Sequence, residues 1–139
     1  MAPHYGLFRF AAKGRRMNIV VEDLNKLGEN DTGATFTLET RPTSGFIFAQ
    51  RKKGSKSGNH YHTGVSGTKD PEIILLTSGE VSLYGKDMES GEEFEQIVKA
   101  PAQVAIGKNI LHTLTALSDI TFLEFNSIQE HQADTQYPD

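Results

Sequence analysis

Cysteine is absent from this chain of 139 residues. That excludes a disulfide framework, a thiolate metal site and a cysteine nucleophile together. Long apolar runs are missing too, and none approaches the ~20 residues that a helix needs to span a bilayer. Residues 1–14 hold Arg9 and Lys13 but no uninterrupted apolar stretch and no convincing cleavage site. No secretory leader is therefore expected, and a cytoplasmic location is the default reading. Basic residues are in the minority, 14 Lys and Arg against 18 Asp and Glu, for a formal net charge of −4. That sign argues against a non-specific nucleic-acid binder, and no helix-turn-helix pattern is present. Helical periodicity is nearly missing after Gly28.

What is present is a series of short strands. Val20 to Gly28 reads as a strand and a short helical turn ended by Gly28. From there the text alternates. Ala34 to Glu39 and Gly45 to Gln50 alternate around their Phe and Leu residues, and Ile73 to Leu76 reads as a buried strand. Ser78-Gly79 turns the chain into Val81 to Tyr84, and Ser90-Gly91 turns it again before Phe94 to Val98. Val104 to Ile106, Ile110 to Leu117 and Ile120 to Phe125 complete eight or nine strands. Regular spacing of this kind predicts one all-β domain, an antiparallel sandwich or a jelly-roll barrel. The expected organisation is an irregular N-terminal extension (1–17), a single barrel domain (18–127) and a loosely ordered polar C-terminal tail (128–139). Hydrophobic residues at 37% and charged residues at 23% fit a globular protein of this size.

Asn59-His60-Tyr61-His62 carries the chemistry. On a strand, alternation turns His60 and His62 to one face and Tyr61 to the other. Imidazole is the commonest protein ligand for first-row transition metals, so the pair is half of a metal site. Taken alone, it is equally compatible with a surface strand that happens to carry two histidines. Glu72, at the start of the Ile73 to Leu76 strand, is the first carboxylate downstream on a strand, with Asp70 as a competitor in the preceding loop. His112 stands among apolar residues and by itself reads as a core or surface histidine. Arg51, Lys52, Lys53 and Lys56 form a basic cluster leading into the histidines. It reads either as a solvated loop or as a guide for a phosphate or carboxylate group.

Together, Gly54, His60, His62, Glu72 and Gly79 stand at the diagnostic positions of the first cupin motif. Gly107-Lys108-Asn109-Ile110-Leu111-His112 resembles the second motif, with Gly107 in place of its proline and Asn109 in place of its glycine. Asparagine tolerates the left-handed φ that this glycine normally supplies. The asparagine that often follows the second-motif histidine is Ala116 here. The resemblance covers residues 45 to 126. It implies a small double-stranded β-helix, the jelly-roll barrel of the cupins. It also implies that His60, His62, Glu72 and His112 hold a divalent transition metal, with Zn, Mn, Fe, Ni and Cu all compatible. Thr63 to Pro71 makes the gap before Glu72 longer than usual and reads as a loop insertion of about five residues at the barrel mouth, a place where loops shape access.

Within the cupins, Gly-Asn-His-Tyr-His followed by an apolar strand and Ser-Gly-Glu is most similar to those of capsular and deoxysugar biosynthesis. This implies an isomerase or epimerase acting on a carbohydrate or nucleotide-sugar by metal-assisted proton transfer. Tyr84, Glu124 or a histidine outside the ligand set is a candidate for the base, and Arg51 and Lys53 are candidates for substrate binding. An Fe(II)-dependent oxygenase and a non-catalytic module for a small ligand remain as alternatives. The apolar Phe46–Phe48 and Phe122–Phe125 segments predict a sheet-to-sheet homodimer.

Overall fold

Every second residue is buried from Val81 to Gly85 and from Ile110 to Ala116, the period of strands with one face in a core. The computed structural model describes residues 10–12 and 15–139, with side chains from Met17 onward. The strands are β1 (Phe10–Ala12), β2 (Arg15–Met17), β3 (Ile19–Asp23), β4 (Asn25–Asn30), β5 (Gly33–Thr37), β6 (Ile47–Arg51) and β7 (Lys56–His60). They continue as β8 (Glu72–Ser78), β9 (Glu80–Asp87), β10 (Glu93–Lys99), β11 (Ala102–Ile106), β12 (Ile110–Ala116) and β13 (Ile120–Glu124). One helix, α1 (Ile128–Ala133), follows.

Nine of these strands build two antiparallel sheets, ordered β10-β9-β12-β7 and β3-β11-β8-β13-β6. This is the jelly roll that the strand pattern implied, and the chain has the cupin fold. Ile74, Leu76, Val104 and Phe122 from one sheet meet Leu83 and Leu114 from the other in the core between them. Strand β8 is buried on both faces. Its other row, Ile73 and Leu75, packs with Val20, Ala105 and Phe125 in a second cluster outside the barrel. Two hairpins stand apart, β1 with β2 and β4 with β5. Among the described residues, no helix is long and apolar enough to cross a membrane.

The structure corrects three local expectations. Gly28 does not end a helical turn but lies within β4, opposite Thr35 on β5, beside a register shift. The residues of β4 are all exposed, so no face is available to stabilise a helix, whereas the ladder to β5 pairs the backbone. Asn30 Oδ1 accepts from the Thr32 N–H at 2.9 Å and tightens the turn between these strands. Met17, assigned to the extension, is a core residue with 2% exposure, and residues 10–12 and 15–17 form a hairpin. The rest of the expected extension, residues 1–9, 13 and 14, lies outside the described residues. The C-terminal tail is not loose. Its Ser127 and Glu130 side chains form a reciprocal capping box that starts α1, and Asp134 beyond it is buried.

Candidate metal centre

Three strands and the segment that follows β7 bring the donors to one end of the barrel. His60 closes β7, directly opposite His112 on β12. Glu72 opens β8 on the inward row that continues through Ile74 and Leu76. His62 is not on a strand, because β7 stops at His60 and Tyr61 is held only by a single bridge to Gln136. Asn59 takes φ +56° and the β7–β12 ladder shifts register at His112/Thr113. The two rings still converge, with centroids 4.9 Å apart. Asn109 takes the left-handed φ, +61°, that the second-motif turn requires. Gly79 makes the other required turn, since its φ is +87° and a Cβ there would fall 2.3 Å from the Asp119 carbonyl oxygen.

One ligand atom each from His60, His62, Glu72 and His112 lies within 4.8 Å of the others, and all four residues are buried. The outer nitrogens of two rings are already oriented. His112 Nδ1 lies 2.9 Å from the Ile110 carbonyl and His62 Nδ1 lies against the Asp134 carbonyl. A carbonyl only accepts, so each Nδ1 carries a hydrogen, and in the neutral ring each Nε2 presents a lone pair inward. These two Nε2 atoms are buried without a hydrogen-bond partner, although His62 Nε2 lies against Glu72 Oε2. Orphaned lone pairs beside an ionised carboxylate fit a divalent cation, which is the group that would satisfy them.

The electrostatics agree. Burial, reinforced by the neighbouring His112, lowers His60 to about 3, and burial also lowers His112. Both rings are thus neutral, the form that ligates. Burial alone would raise Glu72, but the His62 contact and the charges around it hold the carboxyl well below the usual carboxylate range.

The inserted loop supplies a group that spacing did not suggest. Lys69 is fully buried, with Nζ 3.0 Å from Glu72 Oε2, 3.0 Å from His131 Nδ1 and 3.8 Å from Glu124 Oε1. A buried ammonium needs such partners. Asp70, the competing carboxylate, faces the loop instead and accepts from the Lys108 N–H at 3.1 Å. The C-terminal segment clamps the loop, since the Asp134 carboxylate accepts from Thr63 N, Gly64 N and Ser66 N at 2.7, 2.9 and 3.2 Å.

A cavity of about 100 Å³ opens beside three of the donors, His60, Glu72 and His112, and Arg51, Phe122, Glu124 and His131 are among the other residues that line it. Burial, then the Glu72 charge, pushes Glu124 up to about 7. Arg51 lies 5.9 Å from the Phe122 ring centroid and also borders an open groove of about 360 Å³. The other two candidates are elsewhere. Tyr84 points to the outer face of β9 and donates to Glu93, while Lys53 is exposed in the β6–β7 turn, where its N–H donates to Asp119. Lys69 and His131 carried no motif. For His131, the Ser127-x-x-Glu130 capping box was the available signal that its segment is a helix.

No family model matches the chain, and no curated protein matches it in sequence. Its fold is similar to those of solved sugar-modifying enzymes. A doubly mutated 3,4-ketoisomerase from Thermoanaerobacterium thermosaccharolyticum, in complex with TDP, aligns with TM-score 0.70 and 15% identity, over 87% of this chain and 88% of that one. A dTDP-4-dehydrorhamnose 3,5-epimerase from Sulfolobus tokodaii aligns with TM-score 0.65 and 12% identity, over 86% and 94%. A 3,4-ketoisomerase from Helicobacter canadensis aligns with TM-score 0.62 and 18% identity, over 78% and 82%.

Proposed function

We propose that this protein is a metal-binding cupin that isomerises or epimerises a carbohydrate, a keto-sugar carried on a nucleotide, by moving a proton beside its carbonyl. One observation carries the reading: the cluster of three imidazoles and an ionised carboxylate opens, through His60, Glu72 and His112, onto a cavity that Glu124 also lines, and burial pushes Glu124 up to about 7. His60, His62, Glu72 and His112 would hold the ion. A divalent ion bound there supplies Lewis acidity, which makes a proton next to a carbonyl easier to remove.

The remaining roles belong to the chain itself. Glu124 takes the proton, since a base with a pKa near neutrality combines an ionised fraction with useful basicity. Ile74, Leu114 and Phe122 wall the cavity with apolar surface, which limits water and strengthens the electrostatic interactions within. A cavity of about 100 Å³ is below the range that encloses a whole ligand. It takes the reacting end of a sugar, and the rest of the substrate lies outside. Arg51 stands between cavity and groove, where a guanidinium binds phosphate well. The sugar-nucleotide enzymes of similar fold support this substrate class.

Incubation with TDP-4-keto-6-deoxyglucose in D₂O tests the reading. Solvent deuterium entering the sugar, followed by NMR, is the expected result. TDP binding without exchange in this or related keto-sugars would favour a binding module instead. The protein is also proposed to work as a homodimer through the surface where Phe46 and Phe48 are each 59% exposed; Phe122 and Phe125, expected to share it, are core residues instead.

A further inference from the structure

His131 belongs neither to the four-donor cluster nor to the proton transfer described above, yet it lines the same cavity. Its placement is over-determined. Besides capping α1, Glu130 accepts from Ser44 Oγ and Thr68 Oγ1, each at 2.8 Å, and so ties the helix to the loop after β5 and to the inserted loop. The His131 ring lies beside two cluster rings, with centroids 5.4 Å from His60 and 5.8 Å from His62.

The orientation of its proton follows from Lys69. An ammonium has hydrogens and no lone pair, so at 3.0 Å from His131 Nδ1 it can only donate. Nδ1 is then the acceptor, and the neutral ring carries its hydrogen on Nε2. The ammonium is held in turn by Glu72 at 3.0 Å and Glu124 at 3.8 Å. Among the described residues, no hydrogen bond reaches Nε2, and the side chain keeps 20% exposure. Its N–H is available to a ligand in the cavity.

We propose that His131 is a further catalytic residue, a neutral imidazole whose Nε2–H donates to the substrate oxygen on which negative charge develops, and that Lys69 is the positioning residue that fixes this tautomer. The inference rests on the isomerase reading. In that reaction the C–H bond beside the carbonyl breaks and its proton goes to Glu124. The electron pair forms a carbon–carbon double bond, and the C=O π pair moves onto oxygen. Return of a proton to carbon gives an isomer, so no oxidant or reductant is needed. A neutral N–H donor suits this oxyanion, because it stabilises the charge without surrendering its proton.

Two replacements and one spectrum test the proposal. With TDP-4-keto-6-deoxyglucose in D₂O, His131→Ala is expected to lower kcat about 100-fold, the effect of losing one oxyanion donor, with metal content and TDP affinity unchanged. His131→Gln keeps an amide donor near the Nε2 position and is expected to retain about a tenth of the wild-type rate, as a partial substitute for one hydrogen bond. Unchanged turnover in His131→Ala, or equal loss in both variants, would overturn the donor role. Two-bond ¹⁵N–¹H correlation spectra should show His131 protonated on Nε2 in the wild type, with that preference lost in Lys69→Met. An Nδ1–H ring in a protein that exchanges deuterium overturns this inference alone. A wild-type protein that exchanges none removes the isomerase reading, and the catalytic role with it.

Discussion

Two glutamates in one cavity hold different charge states near neutrality, because the same neighbours act on them differently. Glu72 lies against His62 and Lys69 and stays ionised; Glu124 is buried next to the Glu72 charge and rises to about 7. Environments that push two acids apart in this way assign them separate tasks, ligand and base. With Glu124 as the base, raised first by its burial, activity should rise with pH as its carboxyl loses its proton, and level off above. A pH profile of kcat/KM with the keto-sugar checks this. Glu124→Gln should lower kcat by about 100-fold or more, as expected for loss of a general base, while metal content measured by elemental analysis stays at the wild-type level. His112→Ala should instead release the metal, since it removes one of four converging donors. Retained stoichiometric metal in that variant would place the ion elsewhere.

The elements divide by how much of their cause is local. Strands from Gly45 onward were legible because one buried face writes a period of two into the sequence, as along β9 and β12. The convergence of His60, His62, Glu72 and His112 was legible because the turns at Gly79 and Asn109 belong to the same spacing pattern. Helix α1 was not, because it is six residues long with none of its residues buried, too short to show an apolar stripe. Its anchors Ser44, Thr68 and Thr63 are distant in sequence. Lys69 was illegible for the same reason, since a lysine in a Gly- and Ser-rich loop reads as solvated until its carboxylate partners are seen. The helix and loop stand or fall together through Asp134. Asp134→Ala leaves three loop N–H groups without their acceptor and should destabilise the fold by about 3 kcal/mol in urea unfolding. It should also weaken metal binding, because the backbone carbonyl of residue 134, which orients His62, is no longer anchored to the loop by its own side chain.

At the scale of the molecule, the barrel gathers the four buried donors at one end and leaves exposed apolar side chains elsewhere. Among the described residues β6 is an edge strand, with Phe48 exposed within its ladder to β13 and Phe46 exposed just before it. Edges of this kind are covered in native assemblies. Light scattering on size-exclusion peaks should give a dimer mass for the wild type and a monomer mass for Phe48→Glu; a wild-type monomer at all concentrations would contradict the dimer. The proposed chemistry depends on the four buried donors being a metal site. Anomalous diffraction at successive metal edges, from crystals of protein never exposed to chelator, tests that most directly. The prediction is one strong peak bonded to nitrogens of His60, His62 and His112 and to an oxygen of Glu72. No peak at that position, or an ion held by other residues, would contradict it.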